Sequence, residues 1–328
     1  MQSCQKEKED WEYSKDKTES GPGIRKKEER TEHSPHQLPP ETILRGRYRI
    51  GPVLGEGGYG ITYIGYDCLL QIRVAIKEYF PTEWCTRDAG GSLSVTVRSG
   101  ISSVYFSKGV QNSLTEARLL ARMDSQRVIV GVRDYFEENG TAYIVMEYID
   151  GKTFTDLTGE YGGRIPEKQL FQYVCPLIRA LSAMHEEGMI HRDLCPDNLM
   201  LENGRRIRLL DFGNARFCEA ANDTQTITIR HGYAPIEQYQ QGGGQGPWTD
   251  VYALCATLYF CLTGTVPPIA TNRIIEDTLV APSQLGADLS AHRDRVLLKG
   301  LRVHPHRRYP TMRELWKAFY EQECEKKG

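Results

Sequence analysis

His191-Arg192-Asp193-Leu194-Cys195-Pro196-Asp197-Asn198, followed thirteen residues later by Asp211-Phe212-Gly213, is the stretch that decides how the rest of the chain is read. The first run supplies a carboxylate, Asp193, that can orient a hydroxyl, and an amide, Asn198, that can hold a metal. The second run places another carboxylate, Asp211, on a Phe-Gly hinge. Asn198 and Asp211 are hard oxygen donors of the kind that Mg2+ prefers, with Mn2+ as a substitute. Acidic residues in loops are usually only solvated, so the weight of this assignment falls on the order and spacing of the motifs around it.

Composition narrows the field. The chain has 328 residues, 40% apolar and 26% charged, which is ordinary for a folded protein with a large core. Its formal net charge of -2 argues against general nucleic-acid binding, which shows a strong basic excess. The first residues are charged rather than apolar, so no secretory signal is expected. The longest apolar run, Val251 to Leu262, is too short for a membrane span and reads as a buried helix. Nine cysteines without a C-x-x-C pair make a disulfide framework or a zinc site unlike this chain, and a reducing cytoplasm fits better.

Residues 1–45 are rich in Lys, Glu, Ser and Pro and read as a disordered charged tail, or as a docking segment that folds on a partner. From Tyr48 the pattern changes to short β-rich runs broken by glycine: Tyr48 to Leu54, Ile61 to Tyr66 and Arg73 to Tyr79. Asn112 to Met123 has apolar residues at helical spacing. Val128 to Phe136 and Thr141 to Tyr148 read as a hairpin around Glu138-Asn139-Gly140. After Gly151 the chain becomes mainly helical, with a helix from Pro166 to Glu187 stopped by Gly188. Further helices are expected over Asp250 to Thr263, Asp294 to Leu301 and Thr311 to Glu323. Expected boundaries are 46–150 for a small lobe, with an insertion over about 80–110, then 151–322 for a larger lobe and 323–328 for a terminal tail.

Gly55-Glu56-Gly57-Gly58-Tyr59-Gly60 matches G-x-G-x-x-G, in which Gly55, Gly57 and Gly60 let backbone N–H groups approach phosphate. A dinucleotide loop would open a helix, whereas Ile61-Thr62-Tyr63-Ile64 are β-formers, so a strand–loop–strand lid over ATP is favoured. Val74-Ala75-Ile76-Lys77 sets a lysine among apolar neighbours, where its ammonium needs an anionic partner. Glu116, on the Asn112–Met123 helix, is the candidate.

These residues together resemble the eukaryotic-like Ser/Thr protein kinases of bacteria, over about Tyr48 to Tyr320. The phrases Ile76-Lys77-Glu78-Tyr79-Phe80-Pro81 and Gly232-Tyr233-Ala234-Pro235-Ile236-Glu237-Gln238-Tyr239 are similar to a bacterial branch of that family. The resemblance implies an α+β, two-lobed protein-kinase fold, with a small β-rich lobe carrying one main helix and a larger helical lobe. It implies ATP with Mg2+ and transfer of the γ-phosphate to Ser/Thr of protein substrates, including the protein's own activation segment. Dimerisation for trans-autophosphorylation is compatible with it, and no membrane span is expected in this sequence.

Within the resemblance, Lys77 and Glu116 hold phosphates, Asp193 orients the substrate hydroxyl, and Asn198 and Asp211 hold the metal. Thr62, Ala75 and Met146 line the adenine site, with backbone groups of Glu147 and Ile149 at its edge. Arg192 offers a guanidinium to a phosphate on the activation segment, where Thr224, Thr226 and Thr228 are candidate phosphosites. Glu237 pairs with Arg308, and Asp250 caps the catalytic-loop backbone.

Two positions depart from the family pattern. Cys195 stands where a lysine would touch the transferring phosphate, and Arg230 stands where a threonine is usual. Either Arg230 reaches into the site and supplies the missing charge, or it points to solvent or to an activation-segment phosphate. Cys195 is either a passive small residue or a redox-sensitive thiol. A pseudokinase scaffold is the alternative to an active enzyme, set against the retention of Lys77, Asp193 and Asp211. A small-molecule kinase fits less well with the Glu237–Arg308 pair. Tyrosine specificity stays open, because the lysine that marks Ser/Thr enzymes is missing from the catalytic loop.

Overall fold

The structure is a computed structural model that describes residues 34, 36–87, 92–123, 126–217, 229–240 and 242–324. In the small lobe, strands β1 (Ile43–Leu44), β2 (Tyr48–Gly57), β3 (Gly60–Asp67) and β4 (Ile72–Tyr79) precede a short hairpin, β5 (Cys85–Arg87) and β6 (Val95–Val97). Helix α1 (Ile101–Arg122) and strands β7 (Val132–Glu138) and β8 (Thr141–Glu147) complete it. The main sheet is antiparallel in the order β1-β2-β3-β4-β8-β7. Strand β3 shows why this segment is a strand. Ile61 and Tyr63 are fully buried while Thr62, Ile64 and Tyr66 alternate to the other face. The β7–β8 turn sits on Asn139 and Gly140, both at positive φ (53° and 75°), as a two-residue hairpin requires.

Two expected boundaries move. The tail expected over 1–45 gives way before residue 45. Leu38 is buried with its N–H donated to Tyr63 Oη at 3.0 Å, and β1 pairs with β2. A few apolar anchors in a polar stretch are invisible to composition but decisive for packing. Residues 1–33 lie outside the described residues. The insertion expected over about 80–110 is a hairpin only as far as β6. The helix expected over Asn112–Met123 begins at Ile101, so the end of the expected insertion forms the helix's first turns. Those turns expose Val104 and Tyr105 and carry no acidic residue, so the amphipathic and capping signals are weak there. Gly109 lets α1 lie against β4, since a Cβ there would come within 1.8 Å of Tyr79 Oη.

The large lobe starts with β9 (Gly151–Thr153) and α2 (Phe154–Glu160), whose N-terminus is closed by a Thr153–Asp156 capping box. Helix α3 (Glu167–Glu186) follows, with Pro166 at the N-cap rather than inside the helix, and Gly188 at φ 76° turning the chain away. Strands β10 (Met189–Ile190), β11 (Leu199–Glu202), β12 (Arg206–Leu209) and β13 (Arg216–Phe217) bracket the catalytic and metal loops. The remaining helices are α4 (Pro247–Thr263), α5 (Ala270–Ile275), α6 (Ala291–Gly300) and α7 (Met312–Cys324), the last running into the expected terminal tail. Helix α4 is almost wholly buried, as its unbroken apolar run predicts. Among the described residues no helix is long and apolar enough to cross a membrane.

Arg308 and Glu237 meet as expected. The guanidinium donates to the two carboxylate oxygens at 2.7 and 3.0 Å, and Thr249 donates to the same carboxylate at 3.1 Å. The other three guanidinium protons go to the backbone carbonyls of Arg302 and Val303, both at 2.6 Å, and of Trp248 at 3.2 Å. A buried pair with its donors satisfied is costly to break from one side. Glu237→Gln is therefore expected to lower unfolding stability by about 3–5 kcal/mol, read by denaturant titration. A change within a few tenths would show that the pair does not anchor this lobe.

Candidate active site

The catalytic loop is shaped by α4. Asp250 is fully buried and accepts the backbone N–H groups of His191 and Arg192, each at 2.8 Å, while His185 Nε2 lies 2.8 Å from the same carboxylate. Burial alone would raise the Asp250 pKa, but the His185 hydrogen bond and the loop hold it below the ordinary carboxylate range. Two successive N–H groups drawn to one carboxylate bend the chain at Arg192, which sits at φ 72°. The bend puts Asp193 into the interlobe cleft. Asn198 closes the loop by donating its amide Nδ2 to the Asp193 carbonyl at 2.8 Å.

Strand β4 and helix α1 bring the lysine and its partner together. Lys77 Nζ lies 2.8 Å from Glu116 Oε1 and 2.6 Å from Asp211 Oδ1. Burial pushes the ammonium pKa down, but the two carboxylates outweigh it and raise it. Burial pushes Asp211 up, yet the Lys77 charge, its hydrogen bond and the Gly213 N–H at 3.0 Å bring it down to about 2. Phe212 is buried with its ring edge-on to His191, 4.7 Å between centroids, which fixes the hinge of the metal loop.

The residues expected to form the site line one cleft of about 620 Å3. They are Gly55, Gly57, Gly60, Thr62, Ala75, Lys77, Glu116, Met146, Glu147, Ile149, Asp193, Asn198, Asp211 and Arg230. A Cβ at Gly55 or Gly57 would meet no protein atom within 4 Å, so the space above the loop suits a ligand that approaches the backbone. At Gly60 the reason is internal, because a Cβ would lie 2.5 Å from the Glu78 carbonyl. The metal donors also fit. With its nitrogen engaged, Asn198 has its amide oxygen left as ligand, and Asp211 has Oδ2 beyond the oxygen held by Lys77. Two hard oxygens suit a divalent cation that takes its other ligands from phosphate and water. Among the described residues no group of three His, Cys, Asp or Glu side chains forms an all-protein metal site.

Residues 48–318 match the family described as protein kinase domain. The chain belongs to the protein kinase family. It is 32% identical over 287 residues to serine/threonine-protein kinase PknB of Mycobacterium tuberculosis, covering 83% of this chain and 42% of that protein. It is 29% identical over 285 residues to a probable serine/threonine-protein kinase of Clostridium acetobutylicum, covering 84% of this chain and 39% of the relative. The chain thus spans about two fifths of the length of these curated relatives. A solved structure described as the PpkA-294 apo form superposes with a TM-score of 0.75 at 34% identity, covering 86% of this chain and 99% of that one. The bacterial Ser/Thr kinase resemblance and the two-lobed kinase fold are both shown. The family implies ATP and a divalent metal.

Against the kinase pattern, the two departures lie side by side. Arg230 Nε is 3.1 Å from Asp193 Oδ1, and a terminal nitrogen is 3.1 Å from Asp197 Oδ2. Arg230 therefore points into the cleft toward Asp193, with its side chain still partly exposed. Cys195 is fully buried, and burial, reinforced by Asp193, pushes its thiol up to about 12. A protonated, inaccessible thiol does not fit the redox-sensitive reading. Asp193 itself is raised by burial, with Arg230 opposing the rise. Thr224, Thr226 and Thr228 lie outside the described residues.

Several residues of the site escaped the sequence. Asp197 ties Arg230 to α2 by accepting Thr155 Oγ1 at 2.6 Å. Gln238 donates to the Arg192 carbonyl at 2.8 Å, fastening the end of the activation segment to the catalytic loop. Asn214 reaches Asp193 Oδ2 at 3.4 Å. The hinge side chain of Glu147, given no role from sequence, accepts the Gly131 N–H at 2.8 Å and pairs with Arg208. Position in a known motif was the available signal for Asp197, Asn214 and Gln238; nothing local marks Arg208.

Because the folded pKa of Asp211 is depressed, its ionised form stabilises the protein above about pH 4 and the contribution is lost as pH falls through about 2. Lys77→Met removes the main cause. Carboxyl-carbon NMR should then show Asp211 titrating above about pH 4 in the variant, against about 2 in the parent. An unchanged titration would mean that Lys77 does not set the charge of the metal loop.

Proposed function

We propose that this chain transfers the γ-phosphate of ATP to Ser and Thr hydroxyls of proteins, using Mg2+, with its own activation segment among the substrates. The observation that carries this is the Lys77 ammonium bonded to both Glu116 and Asp211 in the cleft that also holds Asp193 and Asn198. That arrangement requires α1, β4 and the metal loop to be in register at once. No observation favours a pseudokinase.

In this account, glycine-loop N–H groups and Lys77 hold the phosphates. Bound between Asn198 and Asp211, Mg2+ would supply charge neutralisation at the phosphate oxygens. Asp193 orients the substrate hydroxyl and takes its proton as the oxygen bonds to the γ-phosphorus and the bond to ADP breaks. Arg230, already held 3.1 Å from Asp193, supplies the cation that Cys195 cannot. Serving as its own substrate would bring a second copy to the cleft. Use of ATP and the free cysteines among the described residues support a cytoplasmic setting.

Incubating the purified chain with labelled ATP and Mg2+ should yield phosphoserine and phosphothreonine by mass spectrometry, and Asp193→Asn should abolish them. Equal incorporation in both would refute the enzyme. Arg230→Ala should lower kcat by about 10²–10³, with part regained in Arg230→Lys. Since Arg230 holds the Asp193 pKa down, its loss should also move the acid limb of the pH–rate profile to higher pH. An unmoved limb with full activity would remove Arg230 from the mechanism.

A further inference from the structure

Two segments lying outside the glycine loop converge on it from different directions. From the N-terminal side, His36 Nε2 lies 2.6 Å from Glu56 Oε1, and Gln37 Nε2 donates to Glu56 Oε2 at 2.8 Å. Glu56 is the residue between the first two glycines of the loop, and both its carboxylate oxygens are engaged. Burial raises the Glu56 pKa, but the two hydrogen bonds outweigh it and hold the group below the ordinary carboxylate range. From the insertion, Trp84 meets Tyr59 near the loop's tip edge-on at 5.8 Å, and stacks on Tyr105 of α1 at 5.5 Å with 24° between the rings. The Phe80 N–H adds a bond to the Tyr59 carbonyl at 3.1 Å.

These two ties share one anchor. Arg87 of β5 pairs with Glu78 of β4, both buried, and also donates to the His36 carbonyl and, at 2.9 Å, to Leu93. Glu78 further accepts the hydroxyls of Tyr63 at 2.9 Å and Tyr143 at 2.8 Å. The His36 ring stacks on Phe80 at 5.6 Å. Residues 36–38 and the insertion are therefore joined to each other and to the strand residue next to Lys77. A buried ion pair adds little net stability, but once its remaining donors and acceptors are satisfied it fixes geometry.

We propose that residues 36–38 and the insertion act together as a clamp that holds the phosphate lid in place before nucleotide arrives, with His36, Gln37 and Trp84 as positioning residues for ATP. A glycine-rich loop left free would lose much conformational entropy on binding, and a loop already tied loses less. The clamp therefore acts on nucleotide affinity and not on the chemical step. Whatever draws His36 and Gln37 off Glu56 is read out at the ATP site.

The clamp rests on the kinase reading only where ATP is the ligand, and its test separates the two. In the full chain, the double variant His36→Ala/Gln37→Ala cuts the first tie and Trp84→Leu cuts the second while keeping an apolar side chain. Gln37→Glu opposes Glu56 by charge instead of truncation, which covers the case of a variant that packs poorly. Hydrogen exchange at residues 55–60 without nucleotide should accelerate in each. The Kd for ATP with Mg2+ and the KM should rise roughly two- to fivefold in the double variant, with kcat unchanged. Unchanged exchange, or a fall in kcat with KM held, would overturn the clamp. Absence of ATP binding in the parent would instead overturn the kinase reading, while exchange still reports on the lid.

Discussion

A single buried carboxylate sets the shape of the catalytic centre. Asp250 sits on α4 at the heart of the large lobe, where an unsolvated charge would be prohibitively costly, so the chain must bring donors to it. The donors are the N–H groups of His191 and Arg192. Everything downstream follows from the bend they impose. Asp193 is delivered to the cleft, Leu194 and Cys195 turn into the core, and Asn198 folds back on the loop. With a buried thiol at position 195, the loop offers no cation at that position.

The cation beside Asp193 comes from the activation segment instead. Arg230 reaches Asp193 and Asp197, Gln238 binds the Arg192 carbonyl, and Glu237 is locked to Arg308. These contacts occupy a short stretch of chain, so seating the segment and delivering the charge are one event. In the usual kinase arrangement the charge is part of the catalytic loop and present whether or not the segment is seated. Moving it to the segment makes the site's electrostatics depend directly on the segment's fold. The small lobe shows a parallel economy: the glycine loop is held by residues 36–38 and by Trp84, outside the motif itself.

Much of this was legible in the sequence because chemistry at the cleft constrains residue type and spacing together. Lys77, Asp193, Asn198 and Asp211 were marked by their motifs, and Glu116 was the carboxylate that the Asn112–Met123 helix offered to Lys77. The two-lobed fold followed from the family resemblance those motifs carry, and the change from β-rich to helical pattern near Gly151 agrees with it. What stayed hidden depends on packing. Helix α1 starts at Ile101, ahead of its regular apolar spacing, and Gly109 lets it lie close to Tyr79. The strand Ile43–Leu44 exists only because β2 offers it an edge. The Glu78–Arg87 network and the tie of Gln37 to Glu56 join residues with no local signature. Arg230 was the intermediate case: its position raised the question, and only the structure shows its side chain turned toward Asp193.

The central claim is that the charge normally carried at position 195 resides at position 230. It is tested most directly by moving the charge back and measuring kcat. Arg230→Thr alone should be severely impaired, and Arg230→Thr combined with Cys195→Lys should regain a large part of the lost rate. A fully active Arg230→Thr would contradict the account. So would a double variant no better than Arg230→Thr when Cys195→Lys by itself leaves the enzyme active.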